Sequence, residues 1–235
     1  MRFRDTAELR GAEFVNVDLS GSRFRNVDLT NAKIMEAMLV NARISGLIEG
    51  LVLNDVEVAP LIEAEMVRRY PERAKLRPVD AVGAREAWAV IEELWATTKE
   101  RVAGLPESTL RRRVDDEWSF LETVRHLIFV TDGWIADRVL GRSDYHPIGQ
   151  PPSFVTDAGS FGIDVDADPT LAEVMAVRED RMATVRALVD RLTDDELDQP
   201  RGAETVRSCL WTALDEEWHH LWFANRDLGV VITSA

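Results

Sequence analysis

The sequence predicts a mainly α-helical protein in which a short solenoid with four-sided coils precedes a four-helix bundle. Two observations predict this fold class. One is a five-residue period that runs through residues 7–46, and the other is a set of four amphipathic helical patterns between residues 80 and 228. The two parts also differ in composition, because all seven tryptophans lie at or after Trp88.

The N-terminal period has an apolar residue at the third place of each block, namely Leu9, Phe14, Leu19, Phe24, Leu29, Ile34, Leu39 and Ile44. A period of five fits neither a helix nor a flat strand. It fits a coil with four short faces, in which apolar positions point inward and stack. The segment resembles the pentapeptide-repeat family, and this resemblance implies a right-handed quadrilateral β-helix.

Composition restricts the partners of the chain. Asp and Glu number 42 against 28 Lys and Arg, which gives a net charge of −14. Nucleic acid and anionic membranes attract clustered Lys and Arg, so neither is expected as a partner. The single cysteine, Cys209, cannot form an internal disulfide, which favours a cytoplasmic location. No apolar run is long enough to span a membrane.

The acidic charge is unevenly placed. Residues 1–60 hold seven Lys/Arg and nine Asp/Glu, a net of −2, which leaves −12 for the remainder. A repeat segment with nearly equal numbers of positive and negative side chains is a poor mimic of DNA. We therefore interpret it as a structural cap or docking platform. The predicted divisions are 1–59 for this segment, 60–79 for a short helix and linker, and 80–235 for the bundle.

The bundle helices are predicted over residues 80–103, 119–140, 170–192 and 203–228. The first buries a face formed by Ala84, Trp88, Ile91, Trp95 and Thr98. The second begins at a capping box and carries a packed stripe of Phe120, Val124, Leu127, Thr131, Trp134 or Ile135, and Arg138. A long Gly- and Pro-rich crossover after the second helix completes the pattern of a bundle.

Histidines on two of these helices are the candidates for metal chemistry. His126 lies in the middle of the second helix, and His219 and His220 lie in the last one. Glu216 and His220 are four residues apart and therefore project side by side, as do Asp215 and His219. Two ligands at this spacing with one from a neighbouring helix form an open site suited to Zn²⁺ or Ni²⁺.

Glu217 is a second unusual carboxylate. It falls on the same helical face as apolar residues, including Leu210, Ala213, Leu221 and Ala224. A buried carboxylate requires a partner or a metal. The sequence offers His220 on the same helix, and Arg125 or His126 across the bundle.

Two stretches carry a specific resemblance, EWSFLETVRHLIFVTDGW at 117–134 and LDEEWHHLWFANRDL at 214–228. They resemble the DinB-like four-helix superfamily, which includes mycothiol-dependent maleylpyruvate isomerases. Its metal-binding members carry one His on the second helix and an H-x-x-x-H pair on the last. His126 and His220 match this pattern, whereas Glu216 stands in place of a His. The implied ligands are His126, Glu216 and His220, with His219 as the alternative.

The resemblance implies a thiol transferase or isomerase that uses a divalent metal and mycothiol or a similar low-molecular-weight thiol, together with an electrophile. Glu217 is then the catalytic base or the residue that orients a ligating His. Arg125 or Arg226 either holds an anionic substrate or forms a structural ion pair with Asp227 or Glu122.

Other residues keep two interpretations. Asp132 either closes the site or is exposed, Cys209 either lies on the face of Glu216 with a role there or is a small core residue, and His146 either faces solvent or lines a rim. Five tryptophans form cavity walls or core, namely Trp118, Trp134, Trp211, Trp218 and Trp222. Trp218 and Trp222 are further candidates for a contact with the repeat segment or with a second copy of the chain. The alternative to an enzyme is a non-catalytic bundle whose repeat segment serves interaction or dimerisation.

Overall fold

The computed structural model describes residues 2–3, 6–46 and 48–233. The chain divides into two units between Ile44 and Ser45. The helices of the second unit are α1 (Ala59–Arg69), α2 (Ala81–Val102), α3 (Glu107–Leu110), α4 (Phe120–Val130), α5 (Leu171–Arg191), α6 (Asp194–Leu197) and α7 (Val206–Thr233). The strands are β1 (Val52–Leu53), β2 (Val56–Glu57), β3 (Pro200–Arg201) and β4 (Glu204–Thr205), which pair as two antiparallel hairpins, β1 with β2 and β3 with β4.

The repeat unit keeps its five-residue period as a series of turns. Every fifth residue of its central part has a positive φ, namely Gly11, Asn16, Gly21, Asn26, Asn31, Glu36 and Asn41. Glycine and asparagine favour this left-handed conformation, which explains why they recur at this place. No strand is present among the described residues up to 46, so the implied β-helix is not formed there. The third-place residues stay 40–64% exposed, so they do not stack into a buried interior.

The bundle is formed by α2, α4, α5 and α7. Helices α2 and α4 each contact both α5 and α7, which arranges the four helices around one core. The predicted buried face of α2, from Ala84 to Thr98, is confirmed. The first and third helices were predicted to within a residue or two of their observed bounds. No helix in the described part of the chain is both long and apolar enough to cross a membrane.

The second bundle helix differs from its prediction as one continuous α-helix. It is α-helical only to Val130 and continues as a π-helix over Thr131–Asp137. Its wider turns rotate the later residues about the axis. Ile135 is therefore buried, whereas Arg138, which was expected in the packed stripe, is exposed and lies 4.2 Å from the centroid of the Trp134 ring.

The segment before the bundle packs on α7. Trp222 donates a 2.9 Å hydrogen bond from its indole nitrogen to the Tyr70 hydroxyl. The Tyr70 and Trp218 rings meet edge to face at 5.3 Å, and the Arg73 guanidinium lies 4.3 Å from the centroid of Trp218. The two tryptophans proposed for an interdomain or intersubunit contact thus have partners within the second unit.

The capping box at the start of α4 is confirmed and supports a prediction. Ser119 Oγ accepts from the Glu122 backbone N–H, and a Glu122 carboxylate oxygen accepts from the Ser119 backbone N–H at 2.9 Å. Replacing Ser119 with alanine should lower the free energy of unfolding by about 1 kcal/mol, because one helical N–H loses its acceptor. Urea unfolding of the variant and of the wild type measures the difference in the free energy of unfolding. Thr97→Ala on the exposed face of α2 is the control, and an equal effect of both variants would contradict the role of the cap.

Candidate metal centre

Helices α4 and α7 bring three of the predicted residues together. His126 lies in the middle of α4, while Glu216 and His220 lie one turn apart on α7. His126 Nε2 is 3.6 Å from Glu216 Oε2, His220 Nδ1 is 3.2 Å from the same oxygen, and the two imidazole centroids are 4.5 Å apart. One ligand atom from each residue lies within 4.8 Å of the others. The predicted His126, Glu216 and His220 set is therefore assembled.

Hydrogen bonds to the backbone fix the state of both imidazoles. His126 Nδ1 is 2.9 Å from the Gln150 carbonyl oxygen, and His220 Nδ1 is 2.9 Å from the Glu216 carbonyl oxygen. A carbonyl oxygen only accepts, so each Nδ1 carries the hydrogen and donates it. In the neutral form of each ring, Nε2 then holds a lone pair, which is the usual arrangement of a metal-binding histidine.

The electrostatics of the group suit a cation. Burial alone raises the pKa of the Glu216 carboxyl, but the neighbouring imidazoles of His126 and His220 outweigh it and hold that pKa well below its ordinary range. Burial lowers the pKa of His126, and Glu216 offsets this only in part. Glu216 is therefore ionised and His126 neutral near neutral pH, which are the states that ligands must adopt to bind a metal.

The site is closed on the His126 side and open on the other. His126 is buried, whereas the Glu216 and His220 side chains are half-buried. Trp118 packs across both imidazoles, with centroid distances of 4.6 Å to His126 and 6.0 Å to His220. Its predicted role as a wall is thus consistent with its position.

Glu217 lies outside this group. It is fully buried, pairs with Arg178 of α5, and accepts a 2.9 Å hydrogen bond from the Trp95 indole of α2. Burial raises the pKa of Glu217, and the charge of Arg178 opposes that effect. The expected burial is confirmed, but the expected partners, His220, Arg125 or His126, are wrong. The partner comes from α5 because Glu217 projects into the core between α2 and α5.

The alternative ligand pair is turned away from the centre. His219 Nδ1 donates to the Asp215 carbonyl oxygen at 2.9 Å, and its Nε2 is 3.4 Å from Arg73 Nη1. The Asp215 carboxylate pairs with Arg77. Both residues therefore face the segment that precedes the bundle.

Of the two cations proposed for an anionic substrate, Arg226 forms ion pairs, whereas Arg125 forms none among the described residues and its buried Nη2 has no hydrogen-bond partner there. Arg125 is buried and donates from Nε to the Ile148 carbonyl oxygen at 2.9 Å. Arg226 pairs with Asp227 at 2.6 Å and with Glu117 at 2.5 Å. The ion pair with Asp227 was expected, whereas Glu122 pairs with Arg113 instead.

Two further candidates have structural surroundings. Asp132 is buried, pairs with Arg181 at 2.6 Å and accepts from the His146 backbone N–H at 2.8 Å, so the expectation of an exposed Asp132 is wrong. Cys209 is fully buried in the core, and burial raises the pKa of its thiol.

The sequence did not point to Gln150. Its carbonyl oxygen holds His126 in position from within the crossover, and its backbone N–H donates to the Arg125 carbonyl oxygen at 3.0 Å. Every residue type has a backbone carbonyl, so the identity of residue 150 does not indicate this contact. Only the fold shows it.

Comparison with protein families places these residues in context. Residues 91–224, more than half of the chain, match the DinB superfamily model. The chain belongs to the DinB superfamily. The matched range includes His126, Glu216 and His220, and eight pentapeptide repeats match residues 7–46. Both resemblances noted in the sequence are thereby confirmed. No curated protein and no solved structure gives a significant match.

Proposed function

We propose that this DinB superfamily protein binds one divalent metal, zinc or nickel, and acts as a thiol transferase or isomerase. The ligands would be Nε2 of His126, Nε2 of His220 and a carboxylate oxygen of Glu216. Mycothiol or a similar low-molecular-weight thiol would be the cosubstrate. The observation that carries the proposal is the convergence of three ligand atoms within 4.8 Å, with each Nδ1 held by a backbone carbonyl oxygen.

The donor set fits such a metal. Two imidazole nitrogens and one carboxylate are ligands of Zn²⁺ and Ni²⁺, and three protein ligands leave an open position. When bound, the metal would lower the pKa of a coordinated thiol so that thiolate is present at neutral pH. The half-buried side chains of Glu216 and His220 leave that side accessible, while Trp118 and the buried His126 exclude water from the other side.

For Glu217, which we predicted to be the catalytic base or an orienting residue, the surroundings favour orientation. Its carboxylate is 1% exposed and is held between Arg178 and the Trp95 indole. A carboxylate in this position has no route to a substrate proton. It would instead anchor α7 next to Glu216 and so set the direction in which Glu216 and His220 project.

A non-catalytic bundle is the second candidate function. The Glu216 carboxylate lies 3.2 Å from His220 Nδ1 and 3.6 Å from His126 Nε2, so the three side chains contact one another without a metal. Under this alternative the three residues would be a structural polar cluster, and the repeat segment would serve interaction or dimerisation.

Metal analysis of the purified full-length chain separates the two candidates. We expect stoichiometric zinc or nickel that is lost in His126→Ala and in His220→Ala, because each variant removes one of three ligands. His219→Ala is the matched control, since His219 neighbours His220 on α7 but faces Arg73. Elemental analysis and calorimetric titration with Zn²⁺ measure the binding.

Thiol chemistry is tested on the same preparations, with cysteine as the thiol and chlorodinitrobenzene as the electrophile. The metal-loaded chain should accelerate their conjugation, and the two ligand variants should not. A chain that takes up no metal would contradict the metal centre. Stoichiometric metal without any acceleration would contradict the transferase function alone.

A further inference from the structure

A groove with two arginines and an apolar lining lies between α5 and the residues that follow the π-helix. Its volume is about 370 Å³, and we call it the arginine groove; its lining residues are Leu140, Arg142, Thr184, Ala187, Leu188 and Arg191. A smaller cavity of about 50 Å³ adjoins it, because Leu140, Leu188 and Arg191 line both. None of these residues belongs to the candidate metal centre.

The two arginines of the groove have no countercharge. Within the described part of the chain, no carboxylate lies within ion-pair distance of Arg142 or Arg191, and neither guanidinium has a hydrogen-bond partner. Glu196 borders the smaller cavity, but its carboxylate accepts from the backbone N–H and the hydroxyl of Thr193, at 2.9 Å each. The other arginines of α5 each form an ion pair, namely Arg178, Arg181 and Arg186.

The position of Arg191 at the end of α5 does not account for its charge. A cation at a helix C-terminus often binds the last carbonyl oxygens of that helix. Here Arg85 of α2 does so, because its Nη1 donates to the carbonyl oxygens of Val189 and Leu192 at 3.4 Å each. The guanidinium of Arg191 is therefore available to a ligand.

We propose that the arginine groove binds a small organic phosphate. Arg142 and Arg191 would bind the phosphate, and the apolar part of the ligand would lie on Leu140 and Leu188. A phosphate monoester carries close to two negative charges at neutral pH, which matches two unpaired guanidiniums. The volume of the groove lies within the range of small-molecule sites. This site is independent of the metal centre and of the function proposed for it.

Calorimetric titration of the full-length chain with hexyl phosphate tests the site, in the presence of EDTA so that no metal binds the phosphate. Inorganic phosphate lacks the apolar part and hexanol lacks the charge, so each should bind at least about tenfold more weakly. Hexyl phosphate should also bind more weakly as the NaCl concentration rises. Hexanol or inorganic phosphate that binds as tightly as hexyl phosphate would overturn the proposal.

Variants of the two arginines locate the phosphate. Arg142→Gln and Arg191→Gln should each weaken hexyl phosphate binding by about tenfold, because each removes a charge-assisted contact. Both side chains are exposed, so the variants should fold as the wild type does. Arg186→Gln is the matched control, since Arg186 lies on the same helix but pairs with Glu92. A loss in Arg186→Gln as large as that in Arg191→Gln would contradict the assignment.

A charge placed inside the groove gives a second, independent readout. Ala187 lines the groove and is exposed on α5, where a longer polar side chain is tolerated. Ala187→Glu should abolish hexyl phosphate binding because its carboxylate repels the phosphate and pairs with the arginines. Ala187→Gln has nearly the same size without the charge and should retain most of the binding. Equal affinities of the two variants would overturn the proposal.

Discussion

Replacing Arg178 with methionine should lower the free energy of unfolding by about 3–5 kcal/mol, because it leaves a buried carboxylate without its countercharge. Arg178 and Glu217 are each 1% exposed and form an ion pair in the core between α5 and α7. The hydrogen bond from the Trp95 indole would remain, but one neutral donor does not replace a guanidinium. Urea unfolding of the full-length chain, followed by circular dichroism, measures the loss.

The double variant Arg178→Met/Glu217→Leu should recover most of that stability. Both charges are then removed together, and a buried ion pair often contributes little net stability relative to apolar residues of similar size. Within the described part of the chain, Arg178 Nε and Nη1 have no hydrogen-bond partner, so this pair retains an uncompensated desolvation cost. We therefore expect the double variant to be closer to the wild type than either single variant.

Arg186→Met is the matched control on the same helix. Arg186 pairs with Glu92, but both side chains are half-exposed. Exposed ion pairs contribute at most about 1 kcal/mol to the free energy of unfolding, so Arg186→Met should lower it only slightly. A loss for Arg178→Met no larger than that for Arg186→Met would contradict the interpretation, as would a double variant no more stable than Arg178→Met.

The bounds of the first and third bundle helices could be predicted because their signals are local, whereas the last helix, expected over 203–228, spans Val206–Thr233. Asp80 accepts from the Gly83 backbone N–H at the start of α2, and Thr170 with Glu173 forms a capping box at the start of α5. The convergence of His126, Glu216 and His220 was also predictable, since Glu216 and His220 are four residues apart on α7 and one further histidine lies on α4. Spacing within a helix fixes a face, and the number of candidate ligands was small.

The partners across the bundle could not be predicted. Arg178 is an interior residue of α5, although charged residues normally face solvent, so nothing in the residue pattern indicated its pairing with Glu217. The π-helix of Thr131–Asp137 preserves the residue pattern of an α-helix while changing its winding. The Gln150 carbonyl contact arises from the path of the crossover. All three depend on tertiary packing.

Replacing Glu216 with alanine should weaken Zn²⁺ binding by more than about 100-fold, because removal of a ligand exceeds the 10–100-fold effect typical of outer-shell changes. Glu216→Gln keeps the shape of the side chain but loses its charge and should also bind poorly. Glu216→His should retain binding, because a histidine at this position lies four residues before His220 and projects on the same face. Competition with a chromophoric chelator measures the three affinities.

Asp215→Ala provides the control for these variants, because Asp215 is the adjacent acidic residue and pairs with Arg77 instead. It should leave zinc affinity unchanged. Wild-type affinity in Glu216→Ala would show that the carboxylate is not a ligand. Zinc uptake by Glu216→His but not by the wild type would show that the polar contacts of Glu216 with His126 and His220 have replaced the metal. That outcome would favour the non-catalytic bundle, whereas binding by both proteins would mean that a two-histidine, one-carboxylate centre is intact.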